Sequence, residues 1–320
     1  MKNEELRMKG MKKYVLLLLI AILVLSCKQG SQQSRTDDDK PVITVTIEPL
    51  RYFTEAIAGD RFTVTSMVPR GSSPETYDPT PQQLIDLAKS EAYFRIGYIG
   101  FEQTWIDKLT DNAPHLQFFD MSEGINLIYD TTHAHHHGEH GEELSGSELH
   151  PVSEEHHPAT GVEPHVWNST ENAQIIAGNV LNALCTLDNE NGDFYRARYD
   201  SLCHLIERTD SLIRRQLAAP GADRAFMIYH PALSYFARDY GLHQIPIEAG
   251  GKEPSPAHLR ELINTCKDEK VHIIFVQPEF DRRNAEIIAR QTGTQVVGIN
   301  PLSYDWETEM LNTAKALKGE

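Results

Sequence analysis

Residues 193–217 read DFYRARYDSLCHLIERTDSLIRRQL, and this stretch decides the architecture. Tyr195, Tyr199, Leu202, Ile206, Ile213 and Leu217 fall on one face, at spacings of three, four or seven. Twenty-five residues of helix rise roughly 38 Å, enough to run the length of a two-lobed protein as a spine. The segment Asp188-Asn189-Glu190-Asn191-Gly192 before it is turn chemistry, and Thr170–Leu187 before that predicts another helix.

On either side of the spine, short β-branched runs alternate with helical patterns. Toward the N-terminus the strand candidates are Val42–Ile47, Phe62–Val68, Ala92–Tyr98 and Leu116–Phe119, with helices expected at Gln82–Ser90 and Phe101–Leu109. Toward the C-terminus, strands are expected at Ala225–Tyr229, Ile245–Glu248, Val271–Val276 and Gln295–Ile299. Helices are expected there at Ala232–Tyr240, Pro256–Lys267, Arg282–Thr292 and Trp306–Leu317. Such alternation predicts an α/β protein of two lobes, each a mainly parallel sheet with helices on both faces, joined by the long spine helix. The lobes are assigned to residues 41–190 and 220–320, with 191–219 linking them.

The N-terminus reads as a targeting segment. Met11-Lys12-Lys13 is basic, Tyr14–Leu25 is an apolar run of twelve residues, and Val24-Leu25-Ser26-Cys27 resembles a bacterial lipobox. Residues 1–27 are therefore expected to be a lipoprotein signal peptide, with Met11 as an alternative start, and Cys27 the lipidated residue. The polar stretch 28–40 reads as a tether. The formal charge is −16, and residues 1–27 carry five basic and two acidic side chains, so the remainder is near −19. That excludes a nucleic-acid partner, which needs basic surface. Cys185, Cys203 and Cys266 follow Cys27 without a Cys-x-x-Cys pair, which argues against a thiolate zinc site.

Residues 131–163 form a second unusual stretch. They hold eight of the fifteen histidines, His133, His135, His136, His137, His140, His150, His156 and His157, interleaved with Glu and without Lys or Arg. Imidazole is a ligand for Zn²⁺, Cu²⁺ and Ni²⁺. With almost no apolar residues, the segment cannot bury a core of its own and predicts a metal-collecting loop.

Four further polar residues stand just past predicted strands, where ligands bind in α/β sheets, or beside the His-rich loop. His230 follows Ala225–Tyr229, and Asn300 follows Gln295–Ile299. Glu75 lies in the proline-rich loop 69–81, and His165 lies in Glu163-Pro164-His165-Val166-Trp167. Prolines around Glu75 stiffen the backbone that presents it.

These segments carry a family resemblance. Val68–Pro81, Glu163–Trp167, Tyr229–Leu242, Glu253–Leu259 and Ile299-Asn300-Pro301-Leu302 occur in order. Together they resemble the ligand segments of metal solute-binding lipoproteins of ABC transporters, in the zinc/manganese cluster. The zinc-uptake binding proteins are the nearest in pattern. The resemblance implies two α/β lobes on a long helix and a transported metal as ligand. It also implies a periplasmic or extracytoplasmic, membrane-anchored monomer that serves a permease in the inner membrane, and no enzymatic activity. The absence of His-Glu-x-x-His agrees with the last point. The implied metal ligands are Glu75, His165, His230 and Asn300. Two departures stand out: Glu75 occupies the place of a usual His, and Asn300 the place of a usual acid. Glu279 or Glu248 is the alternative source of charge. Two histidines and one carboxylate favour Zn²⁺. A manganese or iron binder, and a surface adhesin or zinc buffer, are the alternative functions.

Overall fold

The period-2 and period-3.6 patterns build two sheets of identical plan. A computed structural model describes residues 40–129 and 161–319. The expected signal peptide, Cys27, nearly all of the tether and histidines 133–157 lie outside the described residues.

The first lobe runs β1 (Val42–Val45), α1 (Glu48–Ala58), β2 (Thr63–Ser66), α2 (Pro81–Leu87), β3 (Ala92–Arg95), α3 (Gly100–Asn112) and β4 (Gln117–Asp120). The second runs β5 (Ala225–Ile228), α6 (Ser234–Tyr240), β6 (His243–Pro246), α7 (Pro256–Asp268), β7 (Ile273–Val276), α8 (Arg283–Thr292), β8 (Gln295–Gly298) and α9 (Trp306–Leu317). Between them stand α4 (Thr170–Leu187), a 3₁₀ turn at Asn189–Asn191 and the spine α5 (Gly192–Leu217).

Every strand pairing is parallel, in the orders β2-β1-β3-β4 and β6-β5-β7-β8. In each sheet the strand order reverses at the central pair, β1/β3 and β5/β7, which opens a crevice at the carboxyl ends of those strands. The central strands β1, β3, β5 and β7 are buried on both faces and read as near-continuous apolar runs, while the edge strands are partly exposed. Ile43, Val45, Tyr93, Phe94, Phe226, Ile228 and Phe275 have no accessible surface.

Helix α1 is absent from the strand-centred reading of residues 42–68. Its signal is present all the same: Pro49 sits in the first turn, and Leu50, Phe53 and Ile57 recur at helical spacing and are buried. The spine is 26 residues long and buries Tyr195, Leu202, Ile206, Thr209, Ile213 and Leu217. It packs against α1, α4 and α9, so elements of both lobes lean on one rod. One apolar core passes from Ile43 and Phe94 through Ile206 and Ile213 to Phe275 and Trp306. A smaller core lies on the other face of the second sheet, where Leu262 and Cys266 of α7 and Ile288 of α8 cover Met227 and Ile274. Cys185, Cys203 and Cys266 are free thiols. No described helix is long and apolar enough to cross a membrane.

Candidate metal centre

His165 is set by the short segment that leads into α4. The main chain is pinned just upstream, where Tyr129 bridges to Val162 and Glu163 N–H donates to Ile128 O at 2.9 Å. Downstream, Ser169 caps α4 by accepting from Asn172 N–H. Glu163 turns back on the imidazole. Its Oε1 accepts from His165 N–H at 3.0 Å and bonds His165 Nδ1, while its Oε2 accepts from Ser234 Oγ at 3.2 Å. Burial pushes the Glu163 carboxyl up, but the adjacent His165 charge and hydrogen bonds hold it below its ordinary value. Burial likewise pulls the His165 imidazole down, and the charges of Glu163, Glu75 and Glu248 outweigh this and raise it.

His230 begins the turn after β5. Glu248, at the end of the segment after β6, is 8 % exposed and bonds His230 Nδ1 through Oε1 at 2.8 Å. Each imidazole thus gives Nδ1 to a buried carboxylate, which fixes the tautomer and presents Nε2 outward. The two Nε2 atoms face each other at 3.3 Å. Two ring lone pairs at that separation repel unless a proton or a cation sits between them.

Glu75 reaches the same place from the loop after β2. Gly100, the first residue of α3, donates its N–H to Glu75 Oε2 at 3.2 Å, and Phe101 N–H donates to Pro74 O at 2.9 Å. Glycine is required there: a Cβ on residue 100 would stand 2.6 Å from Glu75 O and 2.8 Å from Glu75 Oε2. Behind this contact, Glu102 is wholly buried. It accepts from Thr46 Oγ1 and from the backbone N–H groups of Ile96, Gly97 and Ile99, which ties down the turn that ends at Gly100. Burial pushes the Glu102 carboxyl up to about 7 against those hydrogen bonds. The other oxygen of Glu75, Oε1, is buried without any hydrogen-bond partner. Buried polar atoms are rarely left so.

One cavity is lined by Glu75, His165 and His230 together with Ser73, Gln277, Glu279, Phe280 and Leu302. Three of the four expected ligands therefore meet. Asn300 does not line this cavity. Its Oδ1 accepts from Leu302 N–H at 3.1 Å, its N–H donates to Glu309 Oε1, and it borders a neighbouring pocket with Arg70 and Glu48. The local turn directs the amide oxygen to Leu302 N–H, and the side chain borders the neighbouring pocket instead. Glu248 serves His230, while Glu279 lines the cavity. Burial raises the Glu279 carboxyl, partly offset by the His230 charge. Among the described residues no three His, Cys, Asp or Glu side chains stand together in metal-holding geometry. The imidazole pair is set, and the carboxylates surround it.

Sequence reasoning gives Glu163 no role and treats Glu248 only as a source of charge. For Glu163 the signal was available: a carboxylate two residues before a histidine, with Pro164 between them. Glu248 is found only through the pairing of β5 with β6.

Two parallel-sheet lobes on one spine are the fold of the metal-binding components of ABC transporters. The family model of the zinc-uptake complex component A, periplasmic (ZnuA), matches residues 43–318, and the chain belongs to that family. It is similar to the high-affinity zinc uptake system protein ZnuA of Bacillus subtilis, 26% identical over 97% of this chain and 91% of that protein. It is similar to the manganese ABC transporter substrate-binding lipoprotein PsaA of Streptococcus pneumoniae, 26% identical over 88% of this chain and 86% of that one. A crystal structure of ZnuA superposes with a TM-score of 0.76 at 33% identity, covering 88% of this chain and 99% of that one.

Proposed function

We propose that this protein captures Zn²⁺ outside the cytoplasm and delivers it to the permease of an ABC importer, with Glu75, His165 and His230 as ligands. The observation that carries the reading is the 3.3 Å separation of the two Nε2 atoms. Two imidazole nitrogens on one tetrahedral zinc, each about 2.0–2.1 Å from it, lie roughly 3.3–3.4 Å apart. The partnerless Oε1 of Glu75 supports a third bond from the facing loop. The ion is cargo, and the carboxylates around the imidazole pair draw cations in.

In the same reading, Cys27 carries the lipid, residues 28–40 tether a monomer to the membrane, and the eight histidines between 133 and 157 collect zinc weakly. A second reading, in which Mn²⁺ is the cargo, is favoured by the similarity to PsaA, at the same 26% identity. Calorimetric titration of the purified chain with Zn²⁺ and Mn²⁺ separates them. Zinc should bind one tight site, and tighter Mn²⁺ binding overturns the zinc assignment.

A further inference from the structure

The turn after β7 is fastened to His230 from two sides. Gln277 grips the main chain of His230: its Oε1 accepts from His230 N–H at 3.3 Å and its Nε2 donates to His230 O at 2.6 Å. Three residues on, the Phe280 ring stacks on the His230 imidazole, with centroids 5.3 Å apart and planes at 18°. The same ring stacks on Tyr229 at 5.1 Å. Phe280 N–H donates to Gln277 O at 3.2 Å and closes the turn. Glu279 lies between these fastenings, so its backbone is held in fixed relation to the imidazole beside it.

Glu279 lines the cavity with His165, His230 and Glu75, and the His230 charge acts on its carboxyl. Among the described residues, no other side chain hydrogen-bonds or ion-pairs with the Glu279 carboxylate. A carboxylate that no side chain engages, beside two imidazoles, is open to a cation. Three ligands leave a tetrahedral zinc one bond short. Asn300 borders the neighbouring pocket and does not line this cavity.

We infer that Glu279 supplies the fourth protein ligand, from the second lobe opposite Glu75, so that the ion is held by two imidazoles and two carboxylates. The inference rests on the cavity being the metal site. Two carboxylate oxygens among four ligands accommodate a harder ion than a nitrogen-rich set does. Glu279 therefore also governs how well Mn²⁺ competes with Zn²⁺.

The test uses the full chain after signal-peptide removal, loaded with Zn²⁺ for calorimetry and with Co²⁺ for visible spectroscopy. Loss of a residue that only supports a ligand costs about 10- to 100-fold in metal affinity, so loss of a direct ligand should cost at least tenfold. Glu279→Gln should therefore weaken Zn²⁺ at least tenfold at unchanged stoichiometry. It should weaken Mn²⁺ more than Zn²⁺ and shift the Co²⁺ ligand-field bands. Asn300→Ala should leave affinity and bands unchanged. Bands unchanged in Glu279→Gln, whatever Asn300→Ala does, overturn the inference. His230→Ala separates the two levels: if it retains tight binding, the cavity itself is misassigned, whatever Glu279 does. Circular dichroism of each variant confirms that the fold is intact, and Glu279→Ala repeats the test without an amide oxygen to bind the ion.

Discussion

Trp306 donates its indole N–H to the carbonyl oxygen of Trp167 at 2.7 Å, and Trp167 donates its own to the carbonyl oxygen of Pro301 at 2.8 Å. Both indoles are buried. Trp167 stands two residues past His165, while Pro301 and Trp306 belong to the turn and helix that close the second lobe. Asn168 Nδ2 donates to Ala232 O at 2.9 Å, and Tyr235 OH donates to Glu163 O at 2.9 Å, which adds two more ties. The His165 segment is therefore held against the His230 lobe by buried donors and acceptors, and the spacing of the two imidazoles follows from that seam.

Trp306→Phe keeps an aromatic ring but strands the Trp167 carbonyl. An unsatisfied buried acceptor costs about 1–3 kcal/mol. Urea unfolding should show a lower midpoint at unchanged slope. Zinc affinity should fall with it, because His165 loses its anchor. A midpoint equal to that of the parent protein would count against the seam.

Gly100→Ala tests the placement of Glu75. The added Cβ meets Glu75 O at 2.6 Å, so the loop after β2 must retreat. Overpacking of this kind costs about 1–3 kcal/mol. The expected result is weaker zinc binding in calorimetry with a cooperative thermal transition retained. Unchanged affinity would show that Glu75 does not touch the ion.

Glu248→Gln removes the charge behind His230 without altering volume. Removing such a supporting carboxylate typically lowers metal affinity about 10- to 100-fold. The comparison is with Glu261→Gln, an exposed carboxylate on α7, which should bind zinc as the parent does. Equal affinities for the two variants would remove Glu248 from the site.

Glu102 makes stability depend on pH in a defined direction. Its folded value, about 7, lies above its ordinary value of 4.5 because burial disfavours the charged form. Its contribution is therefore complete below pH 4.5 and is lost as pH rises through about 7. The loss is about 3 kcal/mol, at roughly 1.4 kcal/mol per pKa unit. Chemical denaturation of the parent and of Glu102→Gln should show the parent losing ground to the variant between pH 5 and 8.5. A difference between them that does not vary with pH would mean that Glu102 stays in one protonation state.

Deleting residues 132–158 tests the collecting role proposed for their histidines. One tight zinc site should survive, and total zinc per chain should fall. Loss of the tight site would move the primary ligands into the deleted stretch.

Much of the architecture was legible because periodicity is a local signal. The apolar stripe from Tyr195 to Leu217 announced the spine, and the β-branched runs announced both sheets. The one large omission, α1, shows the limit of scanning for strands: Pro49 and Leu50-x-x-Phe53-x-x-x-Ile57 are helical spacing between two obvious strands. At the site, Glu75, His165 and His230 were legible from their places beside strand ends and proline turns. Asn300 occupied an equivalent place and still missed the cavity, because an amide side chain after a strand readily folds back on its own turn, as Oδ1 does on Leu302 N–H.

By itself, then, the sequence determined the lobes, the spine and three of the residues that meet in the cavity. Each of these depends on the character and spacing of near neighbours. Only the tertiary structure decided which carboxylate serves which purpose. Glu163 and Glu248 orient the imidazoles, Glu102 braces a turn, Glu75 leaves a buried oxygen free, and Glu279 takes its place beside His230. A carboxylate's role depends on what burial, donors and charges surround it in space. Those surroundings come from residues as far apart as Glu75 and Gly100, or His165 and His230, which adjoin only once two lobes close on one core.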